Sequence, residues 1–243
     1  MALFTDGTIS TVEDLTGHDS GILEVSSAEG IDLTKKLKLA QDELAVELSA
    51  LLGPGDGLGN VVVTTIVRLW HAFRTLEMVY RDAYSNQLNE RYGRKRDQFA
   101  ALAQWSFHKL IDAGVGVTGN PVAKADPAEL TYFPGLQPGA TYYVCTSWVN
   151  GLNTEGAASE WRAITVPDGN VLSVRAVNRP TSASGWNIFV GLSPDAMTQQ
   201  NESALLPDQV WLQESTVTSG GRAPGSGQGV DYVRVTPRIL LRG

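Results

Sequence analysis

The sequence predicts an α+β multidomain protein, an N-terminal helical bundle followed by a C-terminal β-sandwich. Residues 61–113 form a helix-patterned run with no proline and one glycine, Gly93. If continuous, the run would span roughly 75 Å, against a mean helix of about 11–12 residues. From Tyr132 onward the chain changes to short β-branched and aromatic runs separated by Gly/Pro turns. With 243 residues, 42% of them apolar, the chain can bury two ordinary cores. The expected division is a helical domain over 1–115, a linker over 116–131, a β-sandwich over 132–229 and a terminal strand or docking arm over 230–243.

Thr11, followed by Glu13 and Asp14, caps a short helix expected to end at Gly17. A second short apolar piece starts at Gly21 and closes at Gly30. Asp32 caps a clear helix to about Leu52, with Leu33, Leu37, Leu44, Leu48, Leu51 and Leu52 at three- and four-residue steps. The glycine-rich stretch 53–57 stops it. In the long run, Ile66, Leu69, Phe73, Leu76, Tyr80 and Ala83 stack into one seam, which thins over residues 85–96. Either the helix projects into solvent there, or it turns and a second helix begins. An interior glycine costs about 1 kcal/mol relative to alanine, which favours a break near Gly93. Apolar spacing resumes with Phe99, Leu102, Phe107, Leu110 and Ile111. Residues 115–130 carry no sustained period and read as the crossover. Strands are expected over 141–149, 161–166, 171–177, 185–190, 209–213 and 232–236, enough for a sandwich.

Charge is uneven along the chain. Residues 1–60, 61–109 and 110–243 carry net charges of −8, +4 and −3 within a total of −7. A net acidic chain argues against a sequence-specific DNA binder, and the basic segment is interspersed with Glu77, Asp82, Glu90 and Asp97. Cys145 is the only cysteine, so no intrachain disulfide is expected. The first residues lack the basic and apolar regions of a signal peptide, and no 18 apolar residues run together; the expectation is a protein made in a cytoplasm, with no membrane contact.

Residues with catalytic potential do not assemble into a motif. His18, His71 and His108 lack companions at metal-ligand spacing, so no metal or other cofactor is expected. Cys145 sits in a strand pattern beside Tyr142, Tyr143 and Trp148, without a base. The glycine-rich stretch 53–59 lacks the Gly-Lys-Ser/Thr ending of a phosphate loop. Trp148, Trp161, Trp186 and Trp211 read first as core and second as a sugar-binding platform. No enzyme activity is expected.

Two stretches carry a resemblance. Leu69-Trp70, residues 76–92 and residues 109–116 resemble helical proteins among tailed-phage and prophage structural genes. Residues 136–144, 148–150, 155–156 and 185–191 resemble fibronectin type III or immunoglobulin-like modules of virion proteins. The resemblance implies a head-to-tail connector adaptor, a ring, twelve-fold by family, that joins the portal protein to a tail or stopper protein in the neck of the virion and continues the DNA channel. DNA would then be non-specific channel contents, repelled by the acidic residues of 1–60. The fused β domain departs from the family pattern, since adaptors are mostly helical and shorter. The polar segment supplies the candidate subunit or portal interface: Arg81, Tyr84, Asn86, Gln87, Asn89, Arg91, Tyr92, Arg94 and Arg96. The candidate docking arm is Arg238, Ile239, Leu240, Leu241 and Arg242, with a frayed edge strand as the equal alternative. Rival functions are a tail-completion or decoration protein, and a carbohydrate-binding or adhesive β module on a helical mount.

Overall fold

The computed structural model describes residues 1–53, 57–225 and 227–234. Five α-helices occupy the N-terminal half and antiparallel sheets the C-terminal half. The chain divides into two compact units: Gly7–Val117 with Val230–Gly243, and Met1–Asp6 with Thr118–Gly229. The first six residues thus group with the sheets, and residues 230–234 group with the helices.

In the helical unit, α1 (Val12–His18) opens on a reciprocal capping box. The Asp14 N–H donates to Thr11 Oγ1 at 3.2 Å, and the Thr11 N–H donates to Asp14 Oδ2 at 2.7 Å. The helix continues through Gly17, one residue beyond the expected stop. α2 (Ile22–Glu29) ends at Gly30, whose φ of 65° is a left-handed conformation that glycine adopts without penalty. α3 (Leu33–Leu52) is capped by Asp32, which accepts from the Thr34 and Lys35 N–H groups at 2.9 and 3.2 Å. It buries Leu33, Leu37, Ala40, Leu44 and Leu48, one stripe at helical spacing.

The long run is two helices, α4 (Thr65–Gln87) and α5 (Glu90–Ala113). The expected break near Gly93 is corrected: it falls at Leu88, which takes a left-handed φ of 51°, and Asn89 caps α5 by accepting from the Arg91 N–H at 2.9 Å. Gly93 lies inside α5 and is buried, and a Cβ there would meet the Tyr84 ring at 3.2 Å. A glycine lets the two helices approach at this point, which offsets its poor helix propensity. Residues 61–64 are not helical either. Val61 bridges to Val117, and the Val62 N–H donates to the Gly116 carbonyl at 2.9 Å.

α4 is the centre of the unit, packed by α1, α2, α3 and α5. Its burial is therefore broader than the single expected seam: Trp70, His71, Thr75, Met78 and Val79 are buried along with Phe73, Leu76, Tyr80 and Ala83, whereas Ile66 and Leu69 are only half-buried. α5 buries the narrower stripe of Phe99, Ala103, Ser106 and Leu110. Aromatic rings line the α4–α5 contact, with Tyr80 and Phe99 stacked at 5.8 Å and Trp70 against Phe107 at 5.0 Å. After α5, β1 (Val115–Val117) pairs antiparallel with the last strand of the chain, β9 (Asp231–Val233), in the register Val115 to Val233.

His71 is fully buried on α4, with Nε2 2.9 Å from the Leu37 carbonyl and Nδ1 without a partner. Burial holds its pKa below the ordinary histidine value despite that contact. The unfolded chain therefore takes up a proton as pH falls below about 6.5 while the folded chain does not. Stability of the helical unit should be full above that pH and fall below it, by at most about 1.4 kcal/mol per pH unit. Urea midpoints at pH 7.5 and 5.5 should differ less for His71→Phe than for the parent; equal pH dependence would remove His71 as the cause.

In the β unit, the strands between β1 and β9 are β2 (Glu129–Pro134), β3 (Ala140–Asn150), β4 (Arg162–Val166), β5 (Asn170–Arg175), β6 (Ala183–Gly191), β7 (Thr198–Gln199) and β8 (Trp211–Leu212). They form a three-stranded sheet ordered β2-β5-β8 and a four-stranded sheet ordered β4-β3-β6-β7. Strand alternation sends Tyr142, Val144 and Trp148 of β3 and Trp186, Ile188 and Val190 of β6 into one cluster with Leu172 and Val174 of β5, so both sheets share a core. Trp148 and Trp186 stand directly opposite one another in the register. The other face of the four-stranded sheet carries Cys145, Phe189 and Met197, covered by Tyr143 and Ala158. The N-terminal residues are tied into this unit by Asp6, whose Oδ1 accepts from the Lys124 N–H at 2.9 Å.

Candidate functional site

The α4–α5 hairpin carries all nine candidate interface residues. Its tip is polar and open: residues 85–91 are all exposed. Within it the candidates separate into two groups. Six are engaged inside the unit. The Tyr84 ring lies beneath Gly93 and is covered by the Arg96 guanidinium at 5.0 Å, and Tyr92 packs 6.1 Å from Tyr80. Asn86 and Gln87 donate to the carbonyl and carboxylate of Glu29, at 3.5 and 2.6 Å, which pins α4 to the end of α2. Asn89 is occupied as the α5 cap. Arg81, Arg91 and Arg94 are exposed, and no ion pair to them occurs among the described residues. Against the exposed carboxylate of Glu90, these three arginines leave the outward face of the hairpin with a net positive charge.

Below the tip, the hairpin and the α1–α2 turn enclose an open cleft of about 440 Å³ lined by Asp19, Glu24, Tyr80, Arg91, Tyr92 and Lys95 among others. Asp19, at the C-terminal end of α1, is nearly buried. It accepts from the Tyr80 hydroxyl at 2.6 Å, from Lys95 Nζ at 3.1 Å and from the Gly21 N–H at 3.2 Å. Burial opposes ionisation of Asp19, but these donors outweigh it and hold its pKa below the usual carboxylate range. Burial and the same carboxylate raise the Tyr80 pKa, so its proton stays on the phenol. The arrangement is a fully satisfied tie between α1, α4 and α5 rather than a poised acid–base pair. Sequence reasoning missed Asp19 and Lys95; an aspartate in a turn and a lysine in a basic run carry no sign that they meet 76 residues apart.

On another side of the unit, α3, α4 and α5 border an open groove of about 550 Å³. Its floor is Leu44, Trp70, Ala103 and Phe107, with Val46 on the rim 70% exposed. Arg74 joins the α3 and α4 sides through Glu43 at 2.7 Å and Glu77 at 2.6 Å, and Glu47 adds a further carboxylate.

In the β unit, Trp148 and Trp186 are core residues, and Trp211 packs partly buried against that core. Trp161 is 49% exposed, edge-on to Tyr143 at 5.3 Å. Cys145 is buried and its thiol is pushed up to about 12 by burial and by Glu155 and Glu160, which leaves it unreactive at neutral pH. Glu155 accepts from Arg222 at 2.6 Å, from Asn187 at 3.2 Å and from Ser147. Those donors overcome the desolvation that would raise its pKa and keep it ionised.

No protein-family model and no curated protein matches the chain in sequence. Among the described residues, no group of His, Cys, Asp and Glu is placed to hold a metal ion, and no helix is long and apolar enough to cross a membrane. The candidate docking arm, residues 238–242, lies outside the described residues.

Proposed function

We propose that the protein is a non-enzymatic structural component of a tailed-phage virion, the adaptor ring of the head-to-tail connector. In this reading its subunits associate into a closed, twelve-fold ring that meets the portal protein on one side and a tail or stopper protein on the other. The observation that carries the proposal is the α4–α5 hairpin, two helices of 23 and 24 residues joined at an exposed polar tip. An isolated globular fold has little use for an uncovered polar helix tip flanked by arginines unpaired among the described residues, whereas a ring repeats one such contact around its axis. The β unit, with two antiparallel sheets about one core, is read as the fibronectin type III or immunoglobulin-like module fused to that adaptor.

The hairpin tip is the surface tested first. Reversing Arg91→Glu and Arg94→Glu should lower affinity for the portal protein of the same phage tenfold or more, read by co-sedimentation, with the helical circular dichroism unchanged. Undiminished binding would reject the tip as the portal contact. Mass photometry of the purified chain, and electron microscopy of particles containing it, test the ring itself; a position away from the portal–tail junction would overturn the adaptor reading. The half-exposed Trp161 beside Tyr143 favours the rival carbohydrate-binding module, and glycan binding that Trp161→Ala abolishes would support it instead.

A further inference from the structure

The groove between α3, α4 and α5 is an open, partly apolar concavity of about 550 Å³, and nothing in the chain's described residues fills it. Its chemistry is distinctive. The floor is aliphatic and aromatic, while the walls hold three carboxylates, Glu43, Glu47 and Glu77, against the single guanidinium of Arg74, a net charge of −2. An occupant should therefore be a short apolar segment with two cationic ends. The chain contains one such segment among residues 235–243: Arg238 and Arg242 flank Ile239, Leu240 and Leu241, three consecutive aliphatic side chains with a net charge of +2.

The topology delivers that segment from the helical unit. Pairing of β9 with β1 holds the chain through Val233 at the C-terminal end of α5, where the Val233 carbonyl lies 2.9 Å from the position a Gly114 Cβ would take. Five residues later, at Arg238, the chain can have travelled at most about 18 Å, and at Arg242 about 32 Å. That reach exceeds the radius of gyration of about 13 Å typical of a domain of about 100 residues, so a copy packed alongside would lie within it.

We infer that the groove binds the segment Arg238 to Arg242 of a second copy of this chain. Ile239, Leu240 and Leu241 cover Trp70, Phe107 and Val46, and the two arginines meet the carboxylates of the walls. Every copy then offers one groove and one segment, a head-to-tail contact that closes into a ring when the rotation per subunit divides a full turn. The inference deepens the adaptor proposal and rests on its requirement that the chain self-associate.

The test is a disulfide trap in the full chain, with Val46→Cys on the groove and Leu241→Cys on the segment; buried Cys145 gives little background. Mild oxidation should produce a ladder of covalent multimers from the double variant, which neither single variant forms beyond a dimer. A faster-migrating monomer would show that the segment folds back on its own groove and would overturn the inference, as would the absence of any cross-link. Arg238→Glu with Arg242→Glu should weaken self-association tenfold or more by mass photometry, and Glu47→Lys should restore part of it. A chain that forms rings untouched by either change loses the docking inference alone. A chain that is monomeric at every concentration loses the ring proposal as well.

Discussion

Replacing Trp186 with alanine is expected to cost the β unit about 3–5 kcal/mol, a large part of the 5–15 kcal/mol that typically holds a domain together. Trp186 is fully buried between the two sheets, opposite Trp148 in the register. Its Nε1–H donates to the Leu206 carbonyl at 2.9 Å, and its backbone pairs with Leu205. Alanine leaves a cavity that rigid strands on both sides cannot collapse into, and it deprives the Leu206 carbonyl of a donor. For a unit of this size the midpoint of thermal unfolding should fall on the order of 10–20 °C, read by near-ultraviolet circular dichroism. Trp186→Phe should lose less, since it keeps most of the ring and gives up the hydrogen bond. Trp161→Ala, at a half-exposed site, should change stability by about 1 kcal/mol or less. Equal losses at Trp161 and Trp186 would contradict the assignment of one to the surface and the other to the core.

Asp19→Ala is expected to destabilise the helical unit by about 2–3 kcal/mol. Loss of one partner from a fully buried ion pair costs about 3–5 kcal/mol, but Lys95 is about one-third exposed and can rehydrate, which places the loss at or below the lower end. The Tyr80 hydroxyl would lose its acceptor in a buried setting. Removing both charged partners, in Asp19→Ala with Lys95→Met, should cost less than the sum of the single changes, because neither charge is then stranded. Additive losses would show that the pair is not coupled. The pH dependence has a definite sign. The folded-state pKa of Asp19 is lowered, so its contribution is complete above the unfolded carboxylate value of about 3.9 and is lost as pH falls through that value towards the folded one. His71 acts in a higher window, beginning near pH 6.5. The parent should therefore lose stability in two acid steps, and Asp19→Asn should flatten only the lower one.

Elements of this fold set by local contacts are legible in the residues, and those set by distant contacts are not. Thr11, Asp32 and Gly30 act through hydrogen bonds or dihedral angles within a few residues, so α1, α2 and α3 begin and end close to where those residues predict. The hairpin break is harder. A leucine in a left-handed conformation has no compositional sign, and Gly93, the obvious breaker, is used instead to admit the Tyr84 ring. The cap at Asn89, followed by Glu90, was the available signal. β2 starts at Glu129, within the stretch read as the crossover, and ends on Pro134; the proline is tolerated because β2 is an edge strand and that edge demands no ladder donor. β7, at two residues, is too short for any alternation to register, whereas β8 falls inside the strand expected over 209–213.

By itself the sequence determines the order of the two structural classes, the helix caps, the burial of Trp148 and Trp186, though not the exposure of Trp161, and the polar character of residues 85–96, because each depends on periodicity or on contacts a few residues apart. Only the tertiary structure decides that α4 is enclosed by four other helices, that the break lies at Leu88, that Asp19 meets Tyr80 and Lys95, and that three helices border an acidic apolar groove. Those features arise where segments distant in the chain converge, and the cost or gain of each pairing is paid in packing and desolvation that no local pattern encodes.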